Sequence, residues 1–183
     1  MLEQGDFLPQ FGGIGLRDDK LGGGPGNITR YLLSKRPDFH IQAIDVAPNM
    51  IKLAKDNNPG ADFKVIDCRE ISTLEGNFDG IMCDFCMPYL SKEECGKLIQ
   101  DCAALLNSDG ILYFSTIEGD CNDSGFETSS NGQSSMFVCY HQEDYLREML
   151  REHHFELAGI LRKGYSKPDG TLSTHLIFIA MQQ

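Results

Sequence analysis

The sequence predicts an α/β fold, in which a doubly wound, mostly parallel sheet carries helices on both faces and an antiparallel hairpin strand closes one edge. Between residues 27 and 116, short apolar runs alternate with amphipathic helical patterns, which is typical of strand–helix–strand units. Near the C-terminus, two β-favouring runs flank Lys167-Pro168-Asp169-Gly170. That segment is a tight reversal, so the two runs should pair antiparallel.

Composition and charge limit the classes of function. The chain has 183 residues, enough for one domain with a substantial core, and 41% of them are hydrophobic. Its net charge of −11 disfavours a nucleic-acid partner, because phosphate binding requires a basic face. No apolar run reaches the ~20 residues that span a bilayer, and no signal peptide is recognisable. We therefore expect a cytoplasmic protein with neither a membrane nor a nucleic-acid partner.

The N-terminal part of the chain has the weakest pattern. Residues 1–12 are predicted to be irregular, and 13–21 form an interrupted strand because glycines separate the few apolar residues. The pattern becomes regular at Asn27–Lys35, which is predicted to be a helix with Ile28, Tyr31 and Leu32 on one face.

The remaining elements alternate in type along the chain. Strands are predicted at 40–45, 61–68, 78–85, 111–116, 157–163 and 174–180, and helices at 48–55, 91–107 and 142–155. Ser91 and Glu94 form a capping box at the start of the longest helix. In the last helix, Tyr145, Met149 and Leu150 are predicted to face inward. Residues 118–135 are rich in serine and poor in apolar side chains, which predicts a long loop.

The stretch Gly22-Gly23-Gly24-Pro25-Gly26 opens the first helix. Glycines at a strand-to-helix turn let the backbone approach a ligand closely, because no Cβ atom intervenes. The amides that begin the following helix then point at that ligand. Asp45 follows nineteen residues after Gly26 at the end of an apolar run, where a carboxylate accepts hydrogen bonds from ribose hydroxyls. A glycine-rich surface turn and a solvated Asp45 are the alternative.

Together these motifs resemble class I S-adenosylmethionine-dependent methyltransferases. The glycine stretch looks like the G-x-G-P-G turn of that family, and Asp45 looks like its acidic strand end. Asp67-Cys68, after the third strand, resembles the family's third motif. The resemblance covers residues 21–183 and implies a single Rossmann-like domain, with residues 1–20 as an atypical N-terminal segment.

The resemblance implies S-adenosylmethionine as the cofactor and a small molecule as the methyl acceptor. The implied cofactor contacts are Gly22, Gly24 and Gly26 for close backbone approach, Asp45 for the ribose, Met50 for an adenine face, Asp67 and Cys68 for the adenine edge, and Phe85 for the pocket wall. From the residues alone, Met50 could equally be a core methionine, and Asp67 could cap the next turn.

The catalytic residues are less well marked than the cofactor contacts. His141, preceded by Tyr140, is the candidate general base because histidine titrates near neutral pH. A place at the start of the last helix is the alternative for His141. Cys83 and Cys86 have the spacing of a redox pair or of half a zinc site. No second ligand pair or nearby histidine at metal spacing accompanies them, so no metal is expected.

The resemblance fails at the front of the chain. The family has an acidic residue two positions before the first glycine, and here that position is Lys20. Members also carry an N-terminal helical segment that covers the cofactor, whereas the residues before Lys20 do not have a helical pattern. The loss of such a lid would expose apolar surface and favour a homodimer.

Three functions follow from these observations. The first is methyl transfer from S-adenosylmethionine to a small molecule. The second is a degenerate member that binds the cofactor without turnover. The third is a nicotinamide-dependent oxidoreductase, although Asn27 stands where G-x-G-x-x-G would have its third glycine.

Overall fold

A computed structural model describes residues 15–16, 26–84, 86–128, 135–167 and 170–183 of the chain. Its strands are β1 Gly15–Leu16, β2 Gln42–Asp45, β3 Asp62–Val65, β4 Phe78–Cys83, β5 Leu106–Glu118, β6 Gly125–Thr128, β7 Ser135–Val138, β8 Phe155–Ser166 and β9 Leu172–Gln182. Its helices are α1 Asn27–Lys35, α2 Pro48–Asn57, α3 Lys92–Leu105 and α4 Glu143–Glu152. Short 3-10 turns follow β3, β4 and β5 at Cys68–Thr73, Met87–Tyr89 and Cys121–Asp123.

The principal sheet has five strands in the spatial order β1-β4-β5-β9-β8. β1, β4 and β5 are parallel, and β9 inserts antiparallel between β5 and β8. β2 and β3 form a second, parallel pair. The predicted α/β fold with an antiparallel C-terminal hairpin is therefore confirmed. Of the interrupted strand predicted at 13–21, the structure describes only β1, which pairs with the end of β4.

The core lies between the principal sheet and helices α3 and α4. Phe114 of β5 and Phe178 of β9 stack at its centre, with ring centroids 4.7 Å apart and both side chains fully buried. Leu146 and Leu150 bury the inner face of α4. The prediction that Tyr145, Met149 and Leu150 face inward is thus confirmed, with Leu150 buried and the other two half-buried against the core.

The helix starts follow from local chemistry. At α3 the Ser91 hydroxyl accepts from the Glu94 amide (3.2 Å), and Glu94 Oε2 accepts from the Ser91 amide (2.7 Å), which confirms the capping box. At α1, Thr29 and Leu32 are buried, while Tyr31 is 55% exposed. Of the face predicted for α1, Ile28 and Leu32 therefore pack on a buried cluster, whereas Tyr31 does not. Its ring instead lies beneath the Lys35 ammonium group.

The segment predicted as a loop at 118–135 contains secondary structure. β6 and β7 pair antiparallel, with Phe126 opposite Phe137 in edge-to-face contact. The surrounding serines and glycines hide this pair in the sequence, because the two strands are short and neither is buried along its length. β5 is also longer than predicted, since it begins at Leu106 and ends at Glu118, with Asp109 at a positive φ of 63° within it. Among the described residues, no helix is long and apolar enough to cross a membrane.

Candidate functional site

Two acidic residues lie at neighbouring strand ends. Asp45 is the last residue of β2, and Asp67 follows the end of β3 by two residues. The amide of Ile66 donates to the carbonyl of Asp45 (3.2 Å), which continues the parallel pairing and keeps the two chain segments together. Because the carboxyl ends of parallel strands form the ligand-binding edge of open α/β sheets, the structure brings these two predicted residues to the same edge.

The Asp45 carboxylate is oriented by its own chain. Its Oδ1 accepts from the backbone amide of Ala47 (2.7 Å), so the side chain turns back over the start of α2. Val46, between these two residues, is 66% exposed. An exposed apolar side chain beside a half-buried carboxylate is a surface on which a flat apolar group can pack. Val46 is not among the site residues predicted from the sequence. Its only signal is an apolar residue placed directly after an acidic strand end.

Met50 lies on the first turn of α2. The buried face of that helix is formed by Ile51 and Ala54, whereas Met50 is half-buried. Met50 therefore lies outside the buried face of the helix, and its contact with adenine stays a prediction.

Asp67 caps the turn that follows it and pairs with Arg69. Its Oδ1 accepts from the Arg69 amide (2.9 Å), and the Arg69 guanidinium contacts both carboxylate oxygens at 3.2 Å. Partial burial opposes ionisation, but the amide and charge of Arg69 outweigh it and lower the pKa of Asp67. The Asp67 side chain is 31% exposed. The capping alternative is thus observed, and it holds a charged carboxylate at the sheet edge.

The cysteines near this edge are protonated thiols. A hydrogen bond with Cys86 and burial raise the pKa of Cys68, and the pKa values of buried Cys83 and Cys86 lie well above normal. Such thiols are poor nucleophiles, because the thiolate is the reactive form. Within the described ranges, no group of three or more histidine, cysteine, aspartate or glutamate side chains could hold a metal ion.

The described part of the glycine stretch is its last residue. Gly26 precedes α1 with φ 80° and ψ 21°, a left-handed conformation that favours glycine. Its carbonyl accepts from the side-chain amide of buried Asn58 (3.2 Å), which also donates to Ala54 (3.1 Å). Gly22, Gly24 and Phe85 lie outside the described residues.

Asp84 is a further acidic residue at the carboxyl end of β4. Ser115, buried on the neighbouring strand β5, donates to Asp84 Oδ1 (2.8 Å). Burial and the nearby charge of Asp84 raise the pKa of Tyr113 to about 12. No role is predicted for Asp84 from the sequence, although an aspartate at the end of a buried apolar run is the same signal that identified Asp45.

His141 is buried behind the sheet edge rather than open to it. It is 2% exposed, and its Nε2 donates to the carbonyl of Met87 (2.9 Å). Because a carbonyl only accepts, this bond fixes the tautomer, and Nδ1 then accepts from the Tyr145 hydroxyl. Burial lowers the pKa of His141, and the Met87 bond only partly offsets that effect. These contacts favour a structural role at the start of α4.

The Tyr140 hydroxyl is also engaged. It donates to Glu127 Oε1 (2.6 Å) and accepts from Lys167 Nζ (3.0 Å). Burial and the Glu127 hydrogen bond raise the pKa of Tyr140. Tyr140 therefore ties the β6–β7 hairpin to the end of β8, and the general-base role stays a prediction for both Tyr140 and His141.

Comparison with known proteins identifies relatives for part of the chain. Residues 20–110 match a family described as a methyltransferase domain. A malonyl-[acyl-carrier protein] O-methyltransferase of Acetivibrio thermocellus is 34% identical over 98 residues, which are 52% of this chain and 34% of that protein. A putative methyltransferase of Invertebrate iridescent virus 6 is 34% identical over 93 residues, 51% of this chain and 34% of its own length. The match thus spans about a third of the length of these curated relatives.

Solved structures share the fold at low identity. A methyltransferase of Methanosarcina mazei described as SAM-dependent superimposes with a TM-score of 0.75 at 18% identity, covering 94% of this chain and 92% of that one. The 1,6-didemethyltoxoflavin-N1-methyltransferase of Burkholderia thailandensis, solved with S-adenosylhomocysteine, gives 0.65 at 23% identity and covers 93% and 71%.

Proposed function

We propose that this chain, which carries a class I S-adenosylmethionine-dependent methyltransferase domain, transfers the methyl group of S-adenosylmethionine to a small-molecule acceptor. The observation that carries the proposal is the position of Asp45 and Asp67 at adjacent carboxyl ends of a parallel strand pair, with exposed Val46 directly after Asp45. Carboxylates there suit the hydroxyl and amino donors of a nucleoside.

The residues of this edge fit such a cofactor. Asp45 would accept from the ribose hydroxyls, and Val46 and Met50 would pack on the adenine. Asp67 would accept from the exocyclic amino group, and the amide of Cys68 would donate to the ring edge. When bound, S-adenosylmethionine supplies an electrophilic methyl group on sulfonium sulfur. The task left to the protein is to hold and orient both reactants.

We propose that the β6–β7 hairpin borders the acceptor. The Cys139 amide, just after β7, donates to the carbonyl of Pro88 (2.7 Å), so the hairpin base packs on the turn that follows β4. Phe126 and Phe137 are 76% and 46% exposed on one face of the hairpin. An exposed aromatic pair at the ligand-binding edge suits an acceptor with an apolar or aromatic part.

Calorimetric titration with S-adenosylhomocysteine tests the cofactor assignment. We expect micromolar binding, weakened about 10- to 100-fold in Asp45→Ala, because a hydrogen bond to a charged group contributes about 1.5–3 kcal/mol. Asp62→Ala is the matched control, since Asp62 is an exposed aspartate at the opposite end of β3. Folded wild-type protein that gives no heat with S-adenosylhomocysteine or S-adenosylmethionine would refute the proposal.

The two alternatives predict different outcomes. Binding of S-adenosylhomocysteine, without transfer of labelled methyl to any compound in an acceptor screen, would support a cofactor-binding protein without turnover. Quenching of reduced-nicotinamide fluorescence, without binding of S-adenosylhomocysteine, would support the oxidoreductase. Methyl transfer that is lost in Asp45→Ala and retained in Asp62→Ala supports the proposed function.

A further inference from the structure

Arg69 connects three segments around the carboxyl edge of the sheet. Its Nη1 lies 3.2 Å from both oxygens of Asp67, its Nε donates to Glu94 Oε1 (2.6 Å), and its Nη2 donates to the carbonyl of Tyr89 (2.9 Å). These partners belong to the turn after β3, the first turn of α3 and the turn after β4. One guanidinium group therefore spans the two turns that follow β3 and β4.

Two of these partners are fixed by a second contact. The Arg69 backbone amide donates to Asp67 Oδ1 (2.9 Å), so the carboxylate is held from two directions. Glu94 Oε2 accepts from the Ser91 amide (2.7 Å), so the residue that pairs with Arg69 also caps α3. The Arg69 hydrogen bond and the Ser91 amide lower the pKa of Glu94, which keeps it charged at neutral pH. The network is thus anchored to the rigid start of α3.

We infer that Arg69 is a positioning residue for cofactor selectivity. It orients Asp67 and fixes the turn after β3 against the turn after β4. Asp67 can then distinguish the amino group of adenine from a carbonyl oxygen at the same position. This inference rests on the proposed function. A guanidinium presents its donors in a planar fork, and each edge of this fork has a different partner. Without the fork, Asp67 would lose the charged donor that contacts both of its oxygens, and the backbone amide of residue 69 would hold only Oδ1.

A pair of nucleoside ligands provides the test. S-adenosylhomocysteine carries the 6-amino group of adenine, and S-inosylhomocysteine carries a carbonyl oxygen there, which repels a carboxylate. We expect wild-type protein to bind the adenosyl ligand about 10- to 100-fold more tightly, the range for one hydrogen bond to a charged group. The ratio of the two dissociation constants, measured by calorimetry, reports base selectivity independently of catalytic turnover and of the active protein fraction.

The variants separate positioning from stability. Arg69→Met should reduce the preference to about threefold or less, and Arg69→Lys should resemble it, because an ammonium group keeps the charge without the fork. Asp67→Asn should also lose the preference. Arg151→Met is the control, since Arg151 forms an exposed ion pair with Glu148 on α4, away from the sheet edge. It should keep the wild-type ratio.

Three results would overturn the inference. One is that both Arg69 variants keep the wild-type ratio of dissociation constants while Asp67→Asn loses it. Another is a wild type that binds both nucleosides equally, since Asp67 then does not distinguish them. If Arg69→Met does not fold, Arg69→Lys alone decides, and a retained ratio in that variant overturns the inference. Absence of binding to either ligand in folded wild type would refute the proposed function itself.

Discussion

Substitution of Gly26 by alanine tests how the glycine stretch is attached to the domain. Gly26 has a φ of 80°, and its carbonyl accepts from the buried side-chain amide of Asn58 at 3.2 Å. A Cβ atom at this position would lie 2.2 Å from Asn58 Nδ2 and 3.4 Å from the Cα of Ala54. The substitution therefore combines backbone strain with a clash that displaces the amide.

The expected loss of stability is the sum of these two effects. A left-handed conformation costs a residue with a Cβ about 1–2 kcal/mol. Displacing the Asn58 amide from the carbonyls of Gly26 and Ala54 leaves buried groups unsatisfied, at about 1–3 kcal/mol. Gly26→Ala should thus lower the free energy of unfolding by about 2–5 kcal/mol. For a domain of this size, the melting temperature should fall by roughly 4–20 °C.

Two other glycines separate the two effects in urea unfolding. Gly76 has a φ of 94°, and a Cβ there would meet nothing within 4 Å, so Gly76→Ala carries only the backbone strain of about 1–2 kcal/mol. Gly60 has neither a positive φ nor a neighbour within 4 Å, so Gly60→Ala should be neutral or slightly stabilising. The expected order of destabilisation is Gly26→Ala, then Gly76→Ala, then Gly60→Ala.

A double-mutant cycle with Asn58→Ala identifies the clashing partner. Asn58→Ala removes the amide, so Gly26→Ala in that background should cost only what Gly76→Ala costs. Equal losses for Gly26→Ala and Gly76→Ala in the otherwise wild-type protein would contradict the reasoning. That result would mean that Asn58 moves aside freely and does not tie α1 to α2.

Three further predictions concern titration, the core and a helix cap. Burial lowers the pKa of His141 below 6.5, so the unfolded chain takes up this proton first as the pH falls. Stability that is present above about pH 6.5 is therefore lost as the pH falls through that value. His141→Gln should reduce the change of the urea midpoint between pH 7 and 5 more than His175→Gln does, because the His175 ring is less buried. Phe178→Ala should cost about 3–5 kcal/mol in urea unfolding because Phe178 is fully buried, whereas exposed Phe126→Ala should change stability by less than about 0.5 kcal/mol. Ser91→Ala should cost about 1 kcal/mol by removing the α3 cap, and an unchanged unfolding midpoint would contradict the capping box.

Elements with a local signal could be predicted from the sequence. The extent of α1 and the cap of α3 follow from residues within a few positions of each other, and both are confirmed. The inner face of α1 could not be predicted equally well. Its apolar stripe includes Tyr31, but the cluster it packs on, with Phe39 and Ile41, accepts only the side of the helix that carries Leu32.

The β6–β7 hairpin shows where composition misleads. Its strands are four residues long and largely exposed, so neither a buried apolar run nor a clear alternation marks them. Glu127 of β6 bonds to Lys167 at the end of β8 (2.9 Å), far away in sequence. Such a contact forms only in the folded sheet and leaves no local pattern in the sequence. The segment therefore has the composition of a loop.

The parts of the site that form hydrogen bonds to nearby residues in the chain could be predicted, whereas contacts between distant segments could not. Asp45, Asp67 and Asp120 each follow or end a strand, and each accepts from the backbone amide two residues later, at 2.7, 2.9 and 2.9 Å. This bond is local, so a strand end followed by aspartate predicts an oriented carboxylate. What each carboxylate then contacts is decided by other elements, as with the bond from Ser115 to Asp84 across two strands. The sequence can therefore predict which carboxylates lie at the sheet edge. The side chains that contact and orient these carboxylates are identified only in the folded structure.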